Sequence, residues 1–178
     1  MAVDPSDYFE LTMNELREVA RFAAQGAQEV LGVFERADPE DRRPRTAIEA
    51  AWEFANGARR TRLQRVAALD AHRAAKDAPT EAARHAAHAA GDAASAAYLH
   101  PFAKADQVGH ILRADAHAAR VEELLTGDRA VGLMRINRAA ERATPLLVDV
   151  LRRYPPAPVG RNRVSILMKA LDEKLRTH

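Results

Sequence analysis

Alanine supplies half of the twenty residues from 81 to 100, and this stretch limits the fold more than any other feature of the chain. Alanine is the strongest helix former, yet its side chain is too small to fill a wide gap between packed layers. Aromatic residues, which fill such gaps, account for only 5% of the chain. The sequence therefore predicts helices that pack closely through small side chains, and thus an all-α fold.

Helix start and stop signals recur along the 178 residues, whereas patterns typical of strands are absent. Thr12 followed by Glu15 predicts a capping box at the start of the first helix. Pro44 is suited to the first turn of the second helix. We predict a single-domain bundle of six to eight helices, with a flexible segment at 1–11 and a proline-rich connector at 154–160 before the last helix.

The apolar side chains also predict which face of a helix points into the core. The predicted inner face of the second helix comprises Ile48, Ala51, Trp52 and Ala55. The predicted inner face of the third helix comprises Leu63, Val66, Ala67, Ala71 and Ala74. Pro145 either bends the sixth helix or begins a new one.

Composition excludes several classes of function. The chain has no cysteine, so a thiolate nucleophile, a thiolate metal site and a disulfide are ruled out. The formal net charge of +2 is too small to indicate a nucleic-acid or membrane partner through the overall field. No apolar run is long enough to span a bilayer, and the N-terminal residues lack the pattern of a secretory signal, which favours a cytoplasmic protein.

Arginines cluster locally near the start of the third helix. They are Arg59, Arg60, Arg62 and Arg65. Such a cluster can contact phosphates, but no aromatic residues are interleaved for base stacking and no nucleic-acid motif is present. A nucleic-acid partner is therefore disfavoured, and the absence of P-loop, GxGxxG and GxSxG motifs leaves no enzyme class supported by a motif.

His85, His88 and Asp92 lie within about 60° of one another on the alanine-rich helix, at 100° per residue. These are side chains that a divalent metal ion accepts as ligands. The helical zinc motif HExxH is absent, however, and a partly exposed polar face explains the same spacing. We therefore predict no metal site and no cofactor, and keep these three residues as weak metal candidates.

The following helix carries Asp106, His110, Arg113 and His117 along a second polar stripe. A stripe of mixed charge is typical of a solvated helix face, and its functional alternative is a surface that binds a protein partner. Together with Trp52, these residues form the predicted partner-binding set.

Two aspartates fall on predicted apolar faces, Asp70 in the third helix and Asp115 in the fifth. A carboxylate in such a place needs a partner, or its pKa rises. One interpretation is a pocket in which Asp70, Asp115, His72 and Asp92 converge for acid–base chemistry or ligand binding. The other is a pair of structural Asp–Arg contacts, which the many arginines favour.

Five segments between residues 30 and 114 carry a family pattern: VLGVFE at 30–35, RPRTAIEAAW at 43–52, AHRAA at 71–75, AAGDA at 89–93 and the helix at 101–114. Through these segments about half of the chain resembles the immunity proteins of bacterial polymorphic toxin systems. The resemblance implies an all-helical protein that neutralises a toxin by binding it, without a cofactor or catalysis. Some relatives are labelled SbcC-type exonucleases, although such an enzyme has a P-loop and a long coiled coil, which this chain lacks.

The chain departs from the pattern of that family at several histidines. Only His72 matches a family histidine by position, whereas Asp92, Leu99 and Ala103 stand where the family has others. Two hypotheses remain. The first is a cytoplasmic protein that binds and occludes a protein partner such as a toxin. The second is a small helical enzyme or ligand-binding protein with an Asp/His-lined pocket, and a homodimer is compatible with both.

Overall fold

The computed structural model describes residues 4–177 of the chain and confirms the all-α class. Within that range lie eight α-helices and three single-turn 3₁₀ segments. The helices are α1 (Met13–Ala37), α2 (Arg43–Ala55), α3 (Arg62–Asp77), α4 (Glu81–Ser95), α5 (Val108–Thr126), α6 (Arg129–Arg142), α7 (Pro145–Arg152) and α8 (Arg163–Arg176). The 3₁₀ segments are Pro5–Asp7, Ala96–Tyr98 and Ala105–Gln107.

The ends of the helices follow their local sequence. The Thr12 hydroxyl accepts a hydrogen bond from the Glu15 amide at 3.2 Å, and the Glu15 carboxylate accepts one from the Thr12 amide at 2.8 Å. The predicted capping box is thus confirmed, and it satisfies two amides that the first turn leaves free. Pro44 lies in the first turn of α2, and Pro145 begins α7 rather than bending α6.

The alanine-rich α4 lies at the centre of the bundle, packed against α1, α2, α3 and α5. Its buried residues are almost all small, namely Ala83, Ala86, Ala87, Ala89, Ala90, Gly91, Ala93 and Ala94, with Asp92 as the exception. Larger apolar side chains from the outer helices, including Phe34, Phe54 and Leu171, complete the core. Helices can approach closely where both contribute small residues, so the alanine content fixes the packing.

The predicted inner faces of α2 and α3 were partly wrong. Ala67, Ala71 and Ala74 are buried as expected, but Leu63 and Val66 are 41% and 44% exposed. α3 packs onto α4 through alanine, and a longer side chain in that seam would hold the two helices apart. On α2 the indole of Trp52 is half-buried at the edge of the core.

The segment before α1 and the connector before α8 make defined contacts. Of the segment predicted to be flexible, residues 1–3 lie outside the described residues, whereas the Phe9 amide donates to the Pro101 carbonyl at 3.0 Å. In the proline-rich connector, the Ala157 amide donates to the Asp172 carboxylate of α8 at 2.9 Å. Across residues 4–177, no helix is both long enough and apolar enough to cross a membrane.

Candidate functional site

Four histidines and one aspartate meet between α3, α4 and α5. α4 contributes His85, His88 and Asp92, the stripe predicted from sequence, while His72 comes from α3 and His117 from α5. We refer to these five residues as the histidine cluster. Its position beside the alanine seam explains the burial, because the helices that carry it approach each other closely.

The imidazoles of the cluster associate in two pairs. Nδ1 of His72 lies 2.8 Å from Nδ1 of His88, and Nδ1 of His85 lies 2.8 Å from Nδ1 of His117. The rings of His88 and His117 stack with their centroids 5.2 Å apart, which joins the two pairs. Each short contact requires one nitrogen that carries a proton and one that does not, so neither pair can hold two imidazolium ions.

Asp92 is the buried acid of the cluster, with 1% of its surface exposed. Nε of Arg113 donates to Oδ1 of Asp92 at 3.0 Å. Nε2 of His117 lies 3.5 Å from Oδ2, and Nε2 of His72 lies 3.8 Å from Oδ1. Neither contact is a hydrogen bond, and Oδ2 accepts none from the described residues, so Asp92 acts on these two imidazoles through its charge.

Burial sets the protonation of the cluster. Desolvation lowers the pKa of all four histidines, to about 4 for His85 and furthest for the deeply buried His117. The positive charge of Arg113 adds to this effect at His72, His88 and His117. Desolvation raises the pKa of Asp92, and Arg113 opposes that rise. At pH 7 the imidazoles are therefore neutral.

A cavity of about 650 Å³ opens beside the cluster between α4, α5 and the start of α8. The histidines on its wall are His85, His88 and His117, and the arginines are Arg84, Arg113, Arg120 and Arg163. These arginines are largely paired: Arg120 and Arg163 both bind Glu123, and Arg84 binds Glu81. The wall thus offers neutral imidazole nitrogens and hydrogen-bond donors rather than a strong net charge.

The weak metal candidates His85, His88 and Asp92 belong to this cluster, but their ligand atoms do not surround a common point. Among residues 4–177, no group of three or more His, Asp or Glu side chains is placed to hold a metal ion. The short nitrogen contacts join the imidazoles in twos, and Arg113 occupies one oxygen of Asp92.

The residues predicted for an acid–base pocket separate into three places. His72 and Asp92 lie together in the cluster, whereas Asp70 is on the partly exposed side of α3 and binds Arg73. Asp115 is fully buried on the opposite side of α5, where Arg142 of α6 donates to it at 2.6 Å.

The structural alternative to that pocket, an Asp–Arg pair, is therefore present at both Asp70 and Asp115. Helical geometry explains why Asp92 and Asp115 do not meet. Residue 115 points about 200° away from residue 113, which contacts Asp92.

The predicted partner-binding stripe on α5 is divided rather than continuous. Asp106 is exposed, and His110 lies beside Ser95, with Nδ1 to Oγ at 3.4 Å. Arg113 and His117 turn toward Asp92. Trp52 lies apart from the stripe, where its indole N–H donates to Gln28 at 2.7 Å next to a cavity of about 370 Å³.

Sequence reasoning found the α4 stripe but missed its two outside members. His72 was grouped with the aspartates of the alternative pocket, and His117 was placed on the second polar stripe, as part of a solvated face or a partner-binding surface. The signal was the alanine on both sides of α5, since Ala116 and Ala118 next to His117 are also buried. A helix with small side chains on every side can pack any of its faces against neighbouring helices.

A family model described as the Imm-5 like putative immunity protein matches residues 10–143. The chain belongs to this immunity family. The match spans α1 to α6 and so includes the whole histidine cluster, while α7 and α8 lie beyond it. The start of α8, which closes one side of the large cavity, is therefore outside the matched residues. No curated protein and no solved structure gives a significant match to the chain.

Proposed function

We propose that this protein is an immunity protein that binds a toxin and covers the surface the toxin needs, without catalysis of its own. The observation that carries the proposal is the family match over residues 10–143. The cytoplasm, the compartment expected from the sequence, is where we propose that this encounter takes place.

Ion pairs between helices support the proposal because they hold the surface of the bundle in one shape. Arg142 of α6 binds Asp115 of α5, and Arg163 of α8 binds Glu123 of α5. Both carboxylates are buried, and loss of Arg142 would leave Asp115 without its ion-pair partner, whereas Glu123 is held by Arg120 as well as by Arg163. A partner surface that is already in its bound shape binds tightly because little ordering is needed on association.

The test is to isolate the toxic protein that co-purifies with this chain from its own cells and to co-express the two in a bacterial host. The expected result is restored growth together with a stable complex of the intact toxin and this chain in native mass spectrometry. A toxin recovered in covalently altered form would overturn the non-catalytic proposal, and so would toxicity that persists at equal expression levels.

A second candidate function is binding of a small polar ligand, and the large cavity beside the histidine cluster favours it. The cavity of about 650 Å³ is within the size range of small-molecule sites, and imidazole nitrogens line its wall. Native mass spectrometry of the protein from its own cells tests this candidate. A retained small molecule that is lost in a His88→Ala variant supports it, and ligand-free protein at the mass of the chain argues against it.

A further inference from the structure

The outer face of α3 presents large apolar side chains to solvent. Leu63, Val66 and Leu69 are 41%, 44% and 52% exposed, and at 100° per residue they lie within an arc of about 120°. The buried side of the same helix consists mainly of alanine. The largest aliphatic side chains of the helix therefore lie on its exposed side, where they contribute little to the core.

The arginines of this face lack acidic partners. Arg62 and Arg65 are exposed, as is Arg59 in the preceding loop, and none of the three forms an ion pair with any residue between 4 and 177. Other exposed arginines of the bundle, such as Arg45, are bound to a carboxylate, here that of Glu35. Asp70 lies on the same side of α3, but it is bound by Arg73, so Arg62 and Arg65 leave this face with a net positive charge.

A groove continues the face toward the end of α4. It has a volume of about 310 Å³, begins at Arg65 and Leu69, and runs past Ala68 to Tyr98 and His100. An extended apolar strip with a groove at one edge is a shape that accepts side chains from another protein. We refer to Leu63, Val66, Leu69, Arg62 and Arg65 as the α3 face.

We propose that the α3 face binds an acidic amphipathic segment of the protein partner. The proposal rests on the function proposed above, and it adds the surface and the chemistry of the partner. Apolar side chains of the segment cover Leu63, Val66 and Leu69, while its carboxylates meet Arg62 and Arg65. The central apolar strip favours a protein over a nucleic acid, whose phosphates would leave the leucines and the valine uncovered.

The probe is a fluorescein-labelled helical peptide with one leucine stripe flanked by glutamates, added to the full-length protein. Anisotropy gives the affinity, and the amide shifts of the ¹⁵N-labelled protein locate the site. Binding is expected to shift amides of α3 and to weaken as salt is raised. Arg62→Glu with Arg65→Glu, and separately Leu63→Ser with Leu69→Ser, are each expected to weaken binding at least tenfold.

Two matched variants control for unspecific effects. Met134→Ser removes an apolar side chain that is 58% exposed on α6, and Arg161→Glu reverses an exposed charge outside α3. Both controls are expected to bind like the wild type. Circular dichroism melting checks that every variant folds, which is expected because the substituted side chains are exposed.

Three results would overturn the proposal: absence of peptide binding, binding that survives both α3 double variants, or equal binding of a peptide with lysines in place of the glutamates. If single-stranded DNA or anionic lipid vesicles bind more tightly than the peptide, the partner of the α3 face is a nucleic acid or a membrane and not a protein. The co-expression assay separates the two proposals. If the wild type and the α3 variants all protect cells, the role of the α3 face is refuted and the immunity function stands. If the wild type gives no protection, the immunity function itself is refuted.

Discussion

Lowering the pH from 7.5 to 5.5 is expected to destabilise this protein strongly, because its fold buries neutral imidazoles. Burial lowers the pKa of five histidines, namely His72, His85, His88, His110 and His117. In the unfolded chain each imidazole returns to a pKa near 6.5. Below that pH the unfolded state binds protons that the folded state does not, so stability is fully present above pH 6.5 and falls as the solution becomes more acidic.

The size of this effect follows from the two histidines with defined shifts. The folded pKa is about 4 for both His85 and His110. At pH 5.5 each therefore costs a little over 1 kcal/mol of unfolding free energy, or about 2–3 kcal/mol for the pair. His72, His88 and His117 add to this loss, since their pKa values move in the same direction. A domain of this size has about 5–15 kcal/mol of stability, so much of it should be gone at pH 5.5.

Two buried acids act in the opposite direction. Desolvation raises the pKa of Asp92 and Asp115, so each carboxyl group binds its proton more readily in the folded state than in the unfolded state. The stability that each contributes to the protein is therefore lost as the pH rises through its folded pKa. The measured change is the balance of the two groups of residues. A variant that removes one histidine isolates the histidine contribution from that balance.

The assay is urea unfolding at half-unit pH steps, followed by the fluorescence of the single tryptophan, Trp52, and by circular dichroism. His85→Gln should reduce the loss between pH 7.5 and 5.5 by a little over 1 kcal/mol, because one buried imidazole no longer titrates. His100→Gln, at an exposed histidine outside the cluster, is the matched control for the loss of an imidazole. Equal stability of the wild type at both pH values, or equal pH profiles for the two variants, would refute the argument.

Three further predictions concern close packing, a buried ion pair and a turn. Gly26→Ala should cost about 1–3 kcal/mol because its methyl group would overlap the Asp115 carboxylate, whereas Gly32→Ala meets only the flexible end of an arginine and should be neutral or stabilising in thermal unfolding. Arg142→Leu should cost about 3–5 kcal/mol by stranding the charge of Asp115, and adding Asp115→Leu should restore part of that loss in a double-mutant cycle. Gly127→Ala should cost about 1 kcal/mol in urea unfolding because its φ of 70° lies in the left-handed region.

Local signals were enough to predict the starts of the first two helices. Thr12 forms the predicted capping box and Pro44 lies in the first turn of α2, because these effects involve residues within one turn of each other. The rotation of each helix was harder to predict. On α3 both the aliphatic side and the alanine side are apolar, so periodicity could not tell which one faces the core. The packing against α4 determines which side of α3 is buried, because the alanines of α4 leave room only for small side chains.

The same reasoning explains why one half of the histidine cluster was visible in the sequence and the other was not. His85, His88 and Asp92 share one helix, so their spacing places them on one stripe whatever surrounds them. His72 and His117 join them only because α3 and α5 are close enough to α4 for Nδ1 atoms to meet at 2.8 Å. That closeness depends on pairs such as Gly91 and His72, where a Cβ on the glycine would lie 2.7 Å from the ring nitrogen. The many alanines and glycines make the rotation of the helices hard to predict from sequence. The same small residues allow the helices to approach closely enough for the buried imidazoles to pair.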